Sequence, residues 1–191
     1  ISKEVQGGDR KMRTIDQILE EIKDVIEKVD EEQVKKIMNV FKKDTRIFVD
    51  GEGRSGFQAK GFAMRLMHIG YNSYVMGETI TPALKNGDIF VAISGSGKTK
   101  NTLSNVKAAK DLGLTIVGVT SKKDSPLAEV SDLVLEVPGK TKNDSGVPSI
   151  QLLSSLFDQS VHIVLDDLCL LISKKDNLSD SEASKNHINV E

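Results

Sequence analysis

Two short glycine-rich stretches carry hydroxyl side chains at spacings that suit an anion. Residues 51–56 read GEGRSG and residues 92–99 read AISGSGKT. The second ends as a nucleotide P-loop ends, with Gly97, Lys98 and Thr99. Ala92, however, stands where G-x-x-x-x-G-K-[ST] requires its first glycine. A triphosphate site would also need an acidic partner for Mg²⁺ at a strand end. Asp50 belongs to the first loop, and Asp166 and Asp167 fall in a helical pattern. GEGRSG is not G-x-G-x-x-G followed by an acidic residue on a second strand, so a dinucleotide is not indicated either. What fits is a smaller phosphate. Ser55, Ser94, Ser96 and Thr99 supply hydroxyl donors with few fixed cations, which suits a compact phosphate monoester.

The elements around these stretches determine whether they can meet. Thr14-Ile15-Asp16-Gln17 fits a capping box, and apolar residues from Ile15 to Val29 follow at helical spacing. A second helix runs to about Lys43. Then strands and helices alternate: a strand over 46–50, the GEGRSG loop, a helix from Phe57 stopped at Gly70, and a strand over 71–76. Strands over 88–94, 114–120 and 132–137 follow, with a helix after the 94–99 loop and a short one over 125–131. The polar stretch 138–149 leads to a long helix marked by Leu153 through Leu171. Ser179-Asp180-Ser181-Glu182 fits a second capping box. This alternation predicts a doubly wound α/β sandwich with a five-stranded parallel sheet in flavodoxin-like order 2-1-3-4-5. In that order the first and third strands are neighbours. Both glycine-rich loops then open on one crevice, each at a helix start where free N–H groups and the dipole favour an anion.

Composition narrows the function classes. The 191 residues are 38% hydrophobic and 28% charged with a formal net charge of −2, and no basic block stands out as a nucleic-acid footprint. No apolar run reaches the about 18 residues of a membrane span, and no charged-then-apolar leader is read at the start. Cys169 is the only cysteine, so intrachain disulfides are excluded and a reducing cytoplasm is expected. Residues 1–13 read as a flexible tail and 14–191 as one domain. His68, His162 and His187 lack metal-ligand spacing, and no metal site is expected.

These motifs resemble the sugar-isomerase (SIS) domain family, and within it the 3-hexulose-6-phosphate isomerases. The resemblance rests on GEGRSG (51–56), FAMRLMHIGY (62–71), GETITP (77–82), ISGSGKT (93–99), Asp132, the segment 149–159 with its Ser-Leu-Phe-Asp-Gln core, and the ending H-x-N-x-E (187–191). It implies the SIS fold. It also implies interconversion of D-arabino-3-hexulose 6-phosphate and fructose 6-phosphate without a cofactor, and a homodimer or homotetramer. Another phosphorylated sugar as substrate, or a non-catalytic sugar-phosphate-binding module, are the alternatives.

Carried over residue by residue, the resemblance places phosphate on Ser55, Ser94, Ser96 and Thr99. Gly53, Gly95 and Gly97 belong to the same substrate-binding loops, and Lys98 falls at a variable position. It implies a proton-transferring carboxylate at Asp158, where the family has glutamate and a small, glycine-containing lead-in rather than Leu153–Ser154. Without the motif, Asp158 reads as a helix-surface acid paired with His162 one turn on. His187 matches a histidine that enters the site from a neighbouring subunit, and His68 is a further proton-handling candidate. Arg54 could steady the phosphate or the enediolate, or simply form a salt bridge. Glu78 could bind a substrate hydroxyl or serve as an alternative acid.

Overall fold

The computed structural model describes residues 12–144 and 148–190. Most of the expected N-terminal tail, part of the 138–149 loop, and Glu191 lie outside the described residues. The chain begins with α1 (Thr14–Ile26) and α2 (Glu31–Val40). It continues β1 (Arg46–Gly51), α3 (Gly53–His68), β2 (Asn72–Val75), β3 (Ile89–Ile93), α4 (Lys100–Asp111), β4 (Thr115–Thr120), α5 (Pro126–Val130) and β5 (Leu133–Glu136). The 21-residue α6 (Ser155–Lys175) and the short α7 (Asp180–Ser184) close it. The sheet is parallel throughout, in the expected order β2-β1-β3-β4-β5.

Strand periodicity sorts the core into two layers. Ile47, Val49, Val91, Ile93, Val117, Val119 and Leu135 face one side, where Phe62 and Leu66 of α3 and Phe157, Val161, Leu165 and Leu168 of α6 cover them, together with Ile37 and Phe41. Phe48, Phe90, Ala92 and Ile116 face the other side, against Val106 and Ala109 of α4 and Leu127 of α5. The inner strands β1, β3 and β4 are therefore buried on both faces and leave only their ends for a site.

Three local expectations are corrected. The capping box at Thr14 does not form. Arg13 is the N-cap, its carbonyl accepts from the N–H groups of Asp16 and Gln17, and its guanidinium grips Asp16 at 2.7 Å. GEGRSG is not a loop followed by a helix at Phe57, because α3 already starts at Gly53. A Cβ on Gly56 would lie 2.6 Å from the Gly51 carbonyl oxygen, and Gly53 has φ +58°. The glycines let the chain turn from strand to helix almost at once. Finally, α6 starts at Ser155 and not at Leu153. Leu153 sits at φ +51° with its side chain exposed, outside the helix. The second capping box, at Ser179 and Glu182, is formed as read.

Candidate active site

The loop after β3 is a rigid cradle. The Ser94 N–H donates to the Val119 carbonyl at 3.0 Å, and the buried Ser94 hydroxyl meets the Thr99 hydroxyl at 2.8 Å. The Gly95 carbonyl accepts from the Ser121 N–H and from the hydroxyls of Thr120 and Ser121, at 3.1, 3.2 and 2.7 Å. Gly97 needs to be glycine: its φ is +63°, and an added Cβ would lie 2.3 Å from Ser125 Oγ. Ser96 Oγ accepts from the Lys98 N–H at 3.2 Å. Thr99 is the N-cap of α4 but spends its hydroxyl on Ser94, so it caps no N–H of the first turn. Those N–H groups are left without a side-chain cap, at the positive end of the helix dipole, which favours an anion.

The elbow after β1 opens on the same crevice. Gly51 pairs in register with Ile93, so the ends of β1 and β3 lie side by side. Glu52, the N-cap of α3, accepts from Asn101 Nδ2 of α4 at 3.4 Å, which links the two helix starts. Ser55 lies in that first turn of α3. Asp50 is buried at the end of β1 and accepts from the Gly51 N–H and from Asn105 Nδ2. Burial pushes its carboxyl upward, against the pull of those two bonds. It braces the crevice wall as an anchor between β1 and α4.

The third wall is the start of α6. A Cβ on Gly95 would lie 2.9 Å from Phe157 Cδ1, so the α6 ring seats directly on the glycine-rich loop after β3. The next residue, Asp158, is 1% exposed. Its Oδ2 lies 3.4 Å from Arg54 Nε and 3.3 Å from Ser154 Oγ, while Oδ1 is buried and has no partner among the described residues. Arg54 Nη1 also donates to Ser155 Oγ at 2.7 Å. Burial pushes the Asp158 carboxyl above the usual carboxylate range, and Arg54 and then Ser154 pull it back. The surface-acid reading fails on this burial, and His162 instead faces Asp166 at 3.4 Å.

The histidines stand elsewhere. His68 ends α3, and a 16-residue helix puts it about 22 Å from Gly53. His68 is buried and stacks on His187 with ring centroids 5.1 Å apart. Asn186 Nδ2 donates to the His68 carbonyl at 2.9 Å and holds the C-terminal segment there. Burial, then Arg65 and His187, push the His68 imidazole below its ordinary value. With Arg65 and Lys185 the pair lines a recess of about 590 Å³. One chain therefore gathers the phosphate-type loops, Arg54 and Asp158 at one end of α3, and His68 and His187 at the other.

The SIS domain family matches residues 40–163, from the end of α2 into α6, and so spans both glycine-rich segments and Asp158. The chain belongs to the SIS-domain family. It is 33% identical to a 3-hexulose-6-phosphate isomerase of Bacillus subtilis, covering 92% of this chain and 96% of that protein. It is 35% identical to a 3-hexulose-6-phosphate isomerase of Mycobacterium gastri, covering 96% and 93%. Among solved structures, one from Methanococcus jannaschii superposes with a TM-score of 0.79 at 31% identity, over 93% of this chain and 98% of that one. Its structure was taken to infer the function of a 3-hexulose-6-phosphate isomerase.

Within this SIS domain Glu78 stands apart from the crevice. It follows the edge strand β2, which β1 separates from β3, and it lines a groove with Lys60, Met64 and Ile80. Three contributors to the site escaped the sequence reading. Ser154 and Ser155 hold Asp158 and Arg54. Glu21 of α1 accepts from Ser149 Oγ at 2.7 Å, the Ile150 N–H at 2.7 Å and Gln151 Nε2 at 3.2 Å, and so fixes the segment leading into α6. Burial works against the Glu21 charge, but these bonds and Lys140 hold its carboxyl below the usual range. A serine four residues before an acid at a helix start was the one available local signal.

Proposed function

We propose that this SIS domain is an isomerase that interconverts D-arabino-3-hexulose 6-phosphate and fructose 6-phosphate. The observation that carries the reading is the buried Asp158, with one unpartnered oxygen, packed through Phe157 against the Ser94–Thr99 cradle. Two relatives named 3-hexulose-6-phosphate isomerase support isomerisation of that sugar phosphate.

The 6-phosphate sits on the hydroxyls of Ser55, Ser94, Ser96 and Thr99 and on the first-turn N–H groups of α4. Asp158 Oδ1 then takes the proton from C2. The C2–H electron pair forms the C2–C3 double bond, and the C3 carbonyl oxygen takes up the charge as an enediolate. Return of the proton to C3 and loss of the O2 hydroxyl proton give the C2 ketone, while O3 gains a proton. Arg54, beside the carboxylate, offsets the negative charge gathered there.

The oxygen-to-oxygen proton movement calls for a group such as His68 or His187, which lies about 22 Å away within one chain. The site is therefore completed by a second copy of the chain in a homo-oligomer. Ile15, Leu19, Phe57, Met64, Leu152 and Leu153 are exposed and give association an apolar surface. The rival reading, a sugar-phosphate-binding module without turnover, draws on one observation. The carboxylate at 158 is short and already ion-paired to Arg54. A coupled assay separates the two. With 3-hexulose 6-phosphate supplied, fructose 6-phosphate should form at about 1–1000 turnovers per second. Binding of the sugar phosphate without product would establish the module instead.

A further inference from the structure

Asp158 presents a problem of reach. An aspartate carboxylate lies close to its helix, and a misplacement of about 1 Å can cost roughly a hundredfold in rate. This one is 1% exposed and has a choice of rotamers, so something must decide which oxygen is held by hydrogen bonds and which is left unpartnered. The residue that touches it from its own chain segment is Ser154, four positions earlier.

Ser154 occupies the N-cap position of α6, where a serine hydroxyl normally accepts from an N–H of the first turn. It makes no such bond. Its backbone is at φ −101°, ψ 19°, outside the extended conformation that N-caps adopt, and the preceding Leu153 is held at φ +51°. In this geometry the hydroxyl turns from the helix N–H groups to Asp158 Oδ2, at 3.3 Å. Arg54 Nε approaches the same oxygen at 3.4 Å. Both contacts fall on Oδ2, and Oδ1 is left buried without a partner among the described residues.

We infer that Ser154 is a positioning residue for Asp158: it gives up helix capping to tie down Oδ2, and with Arg54 it leaves Oδ1 as the oxygen free to exchange a proton with substrate. The inference rests on the isomerase reading of Asp158. Ser154 itself touches no reacting atom. Its hydroxyl does for the short aspartate what a longer side chain would achieve by reach. Its second effect is electrostatic. A hydroxyl that donates to a carboxylate favours the charged form, so it opposes the upward push of burial alongside Arg54, the charged side chain that faces Asp158 among the described residues.

The test uses the full-length protein with Ser154→Ala, Ser154→Thr, Asp158→Glu and the double variant Ser154→Ala/Asp158→Glu. Ser154→Ala removes no capping bond but does remove one donor to a buried carboxylate, so its melting temperature should fall only modestly and its fold stay intact. Its kcat should fall about tenfold with little change in KM, and the acidic limb of the kcat/KM profile should move to higher pH. Ser154→Thr, which keeps the hydroxyl, should restore both. The loss on removing Ser154 should be smaller in the Asp158→Glu background, because the longer side chain no longer depends on the tie. An equal loss in both backgrounds, or an unmoved pH limb, would overturn the inference.

A carbon-13 NMR titration of the Asp158 carboxyl reads the contact without turnover. An upward shift in Ser154→Ala is expected, and an unchanged titration overturns the inference even if the enzyme is active. If no sugar phosphate is turned over but the titration shifts, the isomerase reading fails while the Ser154 tie stands.

Discussion

Arg54 Nε lies 3.4 Å from Asp158 Oδ2 and so joins the first turn of α3 to the first turn of α6 across the crevice. One cation thus serves both the elbow after β1 and the buried carboxylate. Its effect is moderated by solvent, since half of the Arg54 side chain is exposed. Removing an opposite charge favours the protonated carboxyl. Asp158, already pushed upward by burial, should rise further in Arg54→Met. The resulting loss in kcat/KM, about tenfold, should be greatest on the acidic side and shrink toward alkaline pH. Arg54→Lys should keep the charge but lose the second donor to Ser155, and recover only part of the rate. A pH profile of the three proteins checks this; a loss independent of pH would contradict it.

The Ser94–Thr99 cradle should act on binding rather than chemistry. Changing Ser94 and Ser96 together to Ala removes two hydroxyl partners of a charged group, each worth about 1.5–3 kcal/mol. KM should rise by about two to four orders of magnitude with the circular dichroism spectrum unchanged. Calorimetric titration with fructose 6-phosphate gives the direct reading. Mg²⁺-ATP should bind far more weakly than the sugar phosphate.

Two glycines separate backbone strain from crowding. Gly97 and Gly53 both have positive φ, but a Cβ meets Ser125 Oγ at 2.3 Å in the first case and nothing within 4 Å in the second. Gly97→Ala should cost about 2–4 kcal/mol in urea unfolding. Gly53→Ala should cost about 1 kcal/mol, from the left-handed backbone alone.

If the His68–His187 pair serves the site of another copy, inactive variants should rescue one another. Asp158→Ala and His187→Ala are each expected to be nearly inactive. Unfolded together and refolded as a mixture, they should regain about a quarter of native activity if the unit is a dimer, because half the assemblies are mixed and each mixed pair has one intact site. Light scattering gives the assembly size. A mixture as inactive as its parts would contradict the sharing of one site between two copies.

How much of this was legible in the sequence depended on range. The strand order and the crevice between the two glycine-rich segments followed from alternation and from the rule for doubly wound sheets, and both are present. The start of α3 is hidden in the sequence because clustered glycines look like a loop. Their freedom here allows the helix to begin sooner. The box at Thr14 was outcompeted by Arg13, whose pairing with Asp16 shifts the cap by one residue. Asp158 has His162 one turn away, so local spacing suggested the wrong partner. Its real partner, Arg54, lies far off in sequence, as does His187 from His68. Such contacts are products of packing, and no local period announces them.

If Asp158 carries the proton, the exchange of solvent deuterium into bound fructose 6-phosphate must depend on it. The native protein should wash deuterium into C3, the carbon from which the reverse reaction takes its proton. Asp158→Asn keeps the shape of the side chain but cannot accept a proton, and should slow the exchange by about 10²–10⁴-fold while the sugar phosphate still binds. Asp158→Glu should retain exchange, since the pKa values of the two acids, about 3.9 and 4.3, differ little before the site acts on them. Exchange in Asp158→Asn at the native rate would contradict this and mean that another group takes the proton.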